Sequence, residues 1–157
     1  MAKAEKTNVM RLLDSRKIPY VMHYYGDTDA VSGTEVAAVL GEAPEKVFKT
    51  LVTSGRSKQN YVFIIPVEEE LDLKKAAAAA GEKNIEMIKS KELLPLTGYI
   101  HGGCSPIGMK KLFPTFIDET AILYEKIFVS GGKVGLNLEI SPEDLAGFVN
   151  AVFADLA

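Results

Sequence analysis

Cysteine is almost absent from this chain. Cys104 is the only one in 157 residues, so no internal disulfide can form and a reducing compartment is the natural home. With only two histidines beside it, no zinc-like ligand spacing exists, and neither a metal nor another cofactor is expected. Surplus positive charge is lacking too. Eighteen Lys and Arg face 21 Asp and Glu, a formal charge of −3, whereas a protein that lives by non-specific phosphate contacts is normally basic. DNA is therefore not an expected partner, and any RNA contact must be local or shared with another protein. Long apolar runs are also missing. Tyr61 to Ile65 is far short of the roughly 20 residues that span a bilayer, and the start, Met1 to Lys6, has no signal-peptide core. A soluble, cytoplasmic protein without a membrane partner is expected.

What is present is ordinary for one globular core: 47% hydrophobic and 25% charged residues. A single domain over residues 1–157 is expected. Val9, Leu12 and Leu13 recur at helical spacing, and Tyr20 to Tyr25 reads as a strand. The polar loop Gly26 to Gly33 leads into a short helix, Thr34 to Leu40, closed by Gly41. Val47–Thr53 and Tyr61–Val67 form a hairpin across Ser54-Gly55-Arg56-Ser57. Asp72 caps an alanine-rich helix that Gly81 ends, and Ile85 to Ile88 is a short strand. A helix from Ser90 to Leu94 should stop near Pro95. Strands near Tyr99, Phe116 and Ile127–Ser130 follow, with Gly131-Gly132 turning the last into Lys133–Ile140. Ser141 caps a final helix whose core face runs Leu145, Phe148, Val149, Val152 and Phe153. Hairpins mixed with helices predict an α+β domain with a mixed, mostly antiparallel, partly barrel-like sheet flanked by helices.

Three segments carry possible chemistry. Lys49 stands in the otherwise apolar strand Val47-Phe48-Lys49-Thr50-Leu51-Val52. Alternation puts it on one face with Val47 and Leu51, where it either snorkels to water or points into a cleft that needs a positive charge. Thr50, on the other face, equally suits packing. Gly98 to Gly108 holds four glycines and a proline, a bent main chain whose N–H groups can gather around a carbonyl oxygen or phosphate. It matches neither the Walker loop nor the dinucleotide fingerprint; a plain connecting loop is the alternative. Val129 to Asn137 reads most simply as a glycine-rich hairpin. His101 and Cys104 lie three apart on irregular chain, so nothing brings them together as base and nucleophile. His23 reads as a hydrogen-bonded core histidine, and Glu68-Glu69-Glu70 as a solvated turn.

Together the three segments resemble the YbaK/EbsC family, free-standing relatives of the editing domain inserted in bacterial prolyl-tRNA synthetases. Phe48-Lys49-Thr50-Leu51, the Gly98–Gly108 loop and Val129-Ser130-Gly131-Gly132-Lys133 fall in the family's order and spacing, and the likeness runs from about Val9 to Ala154. It looks strongest to the YbaK branch, which implies deacylation of cysteinyl-tRNA(Pro), with Cys-tRNA(Cys) as a further substrate. By that resemblance Lys49, Gly102 and Gly103 would be catalytic, and Tyr25, Thr50, Ser105, Pro106, Ser130 and Asn137 would contact substrate. Relatives often carry aspartate where Asn137 stands, and asparagine keeps an acceptor oxygen without the charge. The implied chemistry needs no protein nucleophile, because the substrate thiol attacks its own ester. The implied partners are the acceptor end of an aminoacyl-tRNA and prolyl-tRNA synthetase. Three other readings stay open: a deacylase for another small amino acid such as alanine, a non-catalytic module that grips a nucleotide or aminoacyl end, and a thiol hydrolase using Cys104.

Overall fold

Side-chain caps set several helix ends in the computed structural model, which describes residues 6–26, 28, 30 and 33–157. The stretch Met1–Glu5 and four positions of the Gly26–Gly33 loop (27, 29, 31 and 32) lie outside the described residues. In chain order the elements are α1 (Asn8–Ser15), β1 (Val21–Tyr24), α2 (Gly33–Leu40), β2 (Phe48–Gly55), β3 (Asn60–Pro66), α3 (Leu73–Ala80) and β4 (Ile85–Met87). There follow α4 (Ser90–Thr97), β5 (Thr115–Asp118), β6 (Ile127–Ser130), β7 (Leu136–Ile140), α5 (Pro142–Val149) and β8 (Val152–Ala154). Short 3₁₀ turns occupy Pro44–Lys46 and Glu119–Leu123. Thr7 caps α1, Asp72 caps α3 and Ser141 caps α5, each side chain accepting from a first-turn N–H.

The strands form a five-stranded sheet, β4-β2-β3-β5-β8, and a three-stranded sheet, β1-β7-β6. The β3–β5 and β5–β8 pairs are parallel and the other pairs antiparallel. The mixed, mostly antiparallel α+β reading therefore holds. The sheets meet at a single bridge, Val47↔Phe128, so among the described residues they do not close into a barrel.

β3 explains the layering. It is buried on both faces, which suits its almost unbroken apolar sequence. Val62 and Ile64 join the main core with Ile117, Leu138, Ile140 and Leu145, while Phe63 and Ile65 turn to the other face against Ala76, Ala77 and Leu156. The alanines of α3 let that helix lie close on the sheet.

Four expectations need correction. Pro95 does not stop α4, which runs on to Thr97 and ends at left-handed Gly98, whose N–H donates to Leu94 O. A proline removes one hydrogen bond and pushes on one carbonyl, and a helix this short bears it. Tyr99 lies in no strand, because residues 98–114 are irregular. β7 begins at Leu136, not Lys133. Finally, α5 ends at Val149, where Asn150 takes a left-handed conformation (φ 55°), and Val152 and Phe153 form β8 beside β5. Asparagine tolerates that conformation, and the strand partner outweighs the helical spacing of two apolar residues.

Candidate active site

β2 has an open edge. Between the Val47↔Phe128 bridge and the Thr53↔Met87 pair it keeps β3 on one side and no strand on the other, among the described residues. Val67 N–H donates to Val47 O on the β3 side, and Ile88 N–H to Val52 O on the opposite side. Backbone groups alternate along a strand, so the peptide groups of Thr50 turn towards the open edge. A cleft of about 400 Å³ runs along it.

Each of the three segments found in the sequence reaches this cleft. Val47 and the β2 residues Phe48 through Leu51, Lys49 and Thr50 included, form one side; the glycine loop supplies His101, Gly102 and Cys104; the β6–β7 hairpin supplies Ser130 and Asn137. Ser130 and Asn137 face each other across that hairpin, which puts both side chains on one face. Tyr25, Gly33, Thr34, Val36, Val67 and Leu93 complete the wall.

The electrostatics are one-sided. No described residue lining the cleft is acidic, and Lys49, half-buried, forms no ion pair among the described residues. Thr50 Oγ1 and Asn137 Oδ1 are buried without a hydrogen-bond partner among the described residues. Buried polar atoms are costly when left unpaired, and these two can be satisfied by a polar ligand or by water in the cleft.

Gly103, Ser105 and Pro106 are buried and do not line the cleft. Ser105 Oγ is turned back on its own loop, accepting from Ile107 N–H at 3.2 Å. Gly103 lies backbone to backbone with the β6–β7 turn: a Cβ there would meet Val134 N at 3.0 Å and Lys133 C at 3.2 Å. Its neighbour Gly102 holds φ +86°, a conformation other residues resist. Gly103→Ala must therefore part the two turns and displace Gly102. It should cost about 1–3 kcal/mol in chemical denaturation, as overpacking does, and should lower activity more than that loss alone explains.

Cys104 borders the cleft, and its burial disfavours the thiolate that a nucleophile needs. Burial pushes its thiol up to about 12, only partly offset by a hydrogen bond to Thr97, and among the described residues no hydrogen bond joins it to His101. Alkylation at pH 8 should be on the order of a thousandfold slower than for a free cysteine, since only the thiolate reacts. Burial also raises Tyr99 to about 12. Both groups release protons more readily when unfolded, so stability holds below pH 9 and falls as pH rises from 9 towards 12. Thermal melts across that range should fall less steeply for Cys104→Ala than for the wild type.

His23 is half-buried and bonded to Glu139 at 2.8 Å, outside the cleft wall. The sequence reading missed the apolar wall of Val36, Val67 and Leu93 altogether. It also passed over Gly33, whose absent Cβ lets α2 sit against Val67, a Cβ there falling 2.5 Å from that side chain.

Residues 28–148 match the family model of the aminoacyl-tRNA editing domain. Over 153 residues the chain is 46% identical to EbsC of Enterococcus faecalis, which bears the name of a Cys-tRNA(Pro)/Cys-tRNA(Cys) deacylase, with 97% of this chain and 93% of the relative covered. It is 29% identical over 129 residues to part of the proline–tRNA ligase of Thermosipho africanus, covering 74% of this chain and 22% of the ligase. A solved structure named for a trans-editing enzyme of prolyl-tRNA synthetase superposes with TM-score 0.81 at 25% identity, covering 96% of this chain and 97% of the other.

Proposed function

The chain belongs to the aminoacyl-tRNA editing domain family, and on that premise we propose that it is a free-standing deacylase that removes cysteine from mischarged tRNA(Pro) and from Cys-tRNA(Cys). The observation that carries the reading is convergence. A cation on β2, a bare stretch of main chain at Gly102 and two unsatisfied polar atoms border one cleft, whose 400 Å³ lies in the range of about 300–1,000 Å³ that suits small ligands.

In this reading the cleft takes the terminal adenosine with its esterified cysteine. The substrate sulfur attacks its own ester carbonyl: an S–C bond forms, the C–O bond to the ribose breaks, and the thiol proton passes to the ribose oxygen. A cyclic thioester leaves, and water opens it to cysteine. Lys49 stabilises the negative charge that develops on sulfur and on the carbonyl oxygen, in a cleft with no acid among its described lining residues to compete for it. Gly102 lets the main chain approach the ester. Asn137 Oδ1 accepts from the substrate's α-amino group, and Thr50 Oγ1 bonds the ribose; Tyr25 and Ser130 flank them. Gly103, Ser105 and Pro106 act behind the wall by seating the loop. Cys104 stays protonated and takes no part.

Proline and cysteine are close in size, and a synthetase pocket cannot strongly exclude what fits, so a second site is the physical remedy. Among the described residues no helix is long and apolar enough to cross a membrane, and in this reading the protein works in the cytoplasm, where aminoacyl-tRNAs are used. With a net charge of −3, choice among tRNAs comes from docking to prolyl-tRNA synthetase. The test is hydrolysis of Cys-tRNA(Pro), Ala-tRNA(Pro) and Pro-tRNA(Pro): the first should be cleared and the others should survive. Faster loss of alanine would move the specificity to that amino acid. Saturable binding of an amide-linked cysteinyl-adenosine with buffer-level turnover would make the protein a binding module.

A further inference from the structure

We propose that α4 and the loop 98–114 form the docking surface for the phosphate backbone of the tRNA acceptor stem, an inference that rests on the deacylase reading above.

Charge is unevenly spread over this acidic chain. Between residues 89 and 112 there are four lysines, Lys89, Lys91, Lys110 and Lys111, and one acid, Glu92, a local charge of +3 in a chain of −3. All four lysines are exposed, and none is in an ion pair among the described residues. Glu92 is already engaged, its Oε1 accepting from Lys89 N–H at 3.1 Å.

The fold places these cations on the elements that wall the cleft. Lys110 N–H donates to Thr97 O at 3.0 Å, and its side chain lies over Gly98, so the far end of the loop returns to the end of α4. The same helix and loop supply Leu93, His101 and Gly102 to the cleft wall. Lys133, also exposed, extends the strip beyond the wall, since Gly103 packs against its backbone.

Acidic residues gather around a different hollow of about 240 Å³, with Glu45, Glu68, Glu69, Asp118, Glu119 and Asp155, which shares no lining residue with the cleft. An aminoacyl-adenosine seated in the cleft must lead its RNA strand out across the surface. Phosphates are attracted over the lysine face and repelled over the acidic one, within a Debye length of about 8–10 Å. Contacts to phosphate position an RNA without reading its sequence. The surface therefore predicts affinity for acceptor stems in general, with choice among them left to a partner.

The experiment measures binding of an uncharged acceptor-stem minihelix by fluorescence anisotropy at several salt concentrations, alongside turnover of Cys-tRNA(Pro) and of a cysteinyl-CCA trinucleotide. Lys110→Glu with Lys111→Glu should weaken minihelix binding about tenfold and lower the salt slope by about one per lysine that touches phosphate. KM for Cys-tRNA(Pro) should rise to match, with turnover of the trinucleotide unchanged. Lys89→Glu with Lys91→Glu should act in the same direction. Lys74→Glu with Lys83→Glu, the same charge change placed elsewhere, should have little effect. Unchanged minihelix binding in both face variants, or equal losses in the Lys74/Lys83 control, overturns the surface. Wild-type binding that depends on these lysines, with no turnover of either charged substrate, keeps the surface and ends the deacylase reading.

Discussion

Replacing Lys49 by alanine should lower kcat for Cys-tRNA(Pro) about 100- to 1,000-fold, the scale seen when one preorganised electrostatic contact to a transition state is removed. The reasoning is local. Lys49 pairs with Ile65 within the β2–β3 ladder, so its backbone is held in place while its side chain reaches the cleft. Lys49 is also the one lysine or arginine among the described lining residues, so no neighbour replaces its charge. Because the side chain is half-exposed and in no ion pair among the described residues, its loss should shift stability by no more than about 0.5 kcal/mol, as for other surface substitutions. Lys49→Arg should recover only part of the rate, since a planar guanidinium does not place its charge where an ammonium does. Single-turnover deacylation with a thermal melt on each variant separates these outcomes. A Lys49→Ala enzyme that keeps its rate contradicts the assignment, and one that unfolds makes the lysine structural.

The substrate's own sulfur should matter even more. Methylating that sulfur, so that the tRNA carries S-methylcysteine, removes the nucleophile but keeps most of the shape. Intramolecular attack is worth roughly 7–11 kcal/mol of barrier, so the methylated ester should survive at the uncatalysed rate. A seryl ester, with a far weaker nucleophile, should also survive. The cleft supports this dependence on substrate, because its one thiol is held protonated at about 12 and His101 is exposed with no hydrogen bond to it among the described residues. Hydrolysis of the methylated ester within tenfold of the cysteinyl ester would show that water or a protein group attacks instead.

Of the cleft's polar end, Lys49 and the glycine loop stood out in the sequence, whereas Thr50, Ser130 and Asn137 were reached only through the family resemblance. Lys49 interrupts an apolar strand, and four glycines crowd Gly98–Gly108, anomalies that packing alone does not require. The apolar wall was hidden for the converse reason. Val36, Val67 and Leu93 have the same composition and spacing whether they face a cleft or a core. The open edge of β2 could not be read either, because it follows from where β4 and β6 stop pairing, and strand partners are not encoded locally. Among helices, the caps at Asp72 and Ser141 marked their starts well. Two ends were misplaced because competing tertiary effects won: β8 claimed Val152 and Phe153 as an edge strand, and α4 carried Pro95 to reach Gly98. Gly103 shows a third limit. Its glycine character is visible in sequence, but its need for that glycine comes from Lys133 and Val134, thirty residues away.

The most direct test of the account is an amide chemical-shift map of the protein titrated with an amide-linked cysteinyl-adenosine, which cannot be hydrolysed. Saturable shifts at Thr50, Gly102 and Asn137 together, with the Lys49 side-chain signals moving in the same titration, are the predicted result. Shifts confined to the acidic hollow around Asp118 and Glu119, with Thr50 and Lys49 unmoved, would contradict it.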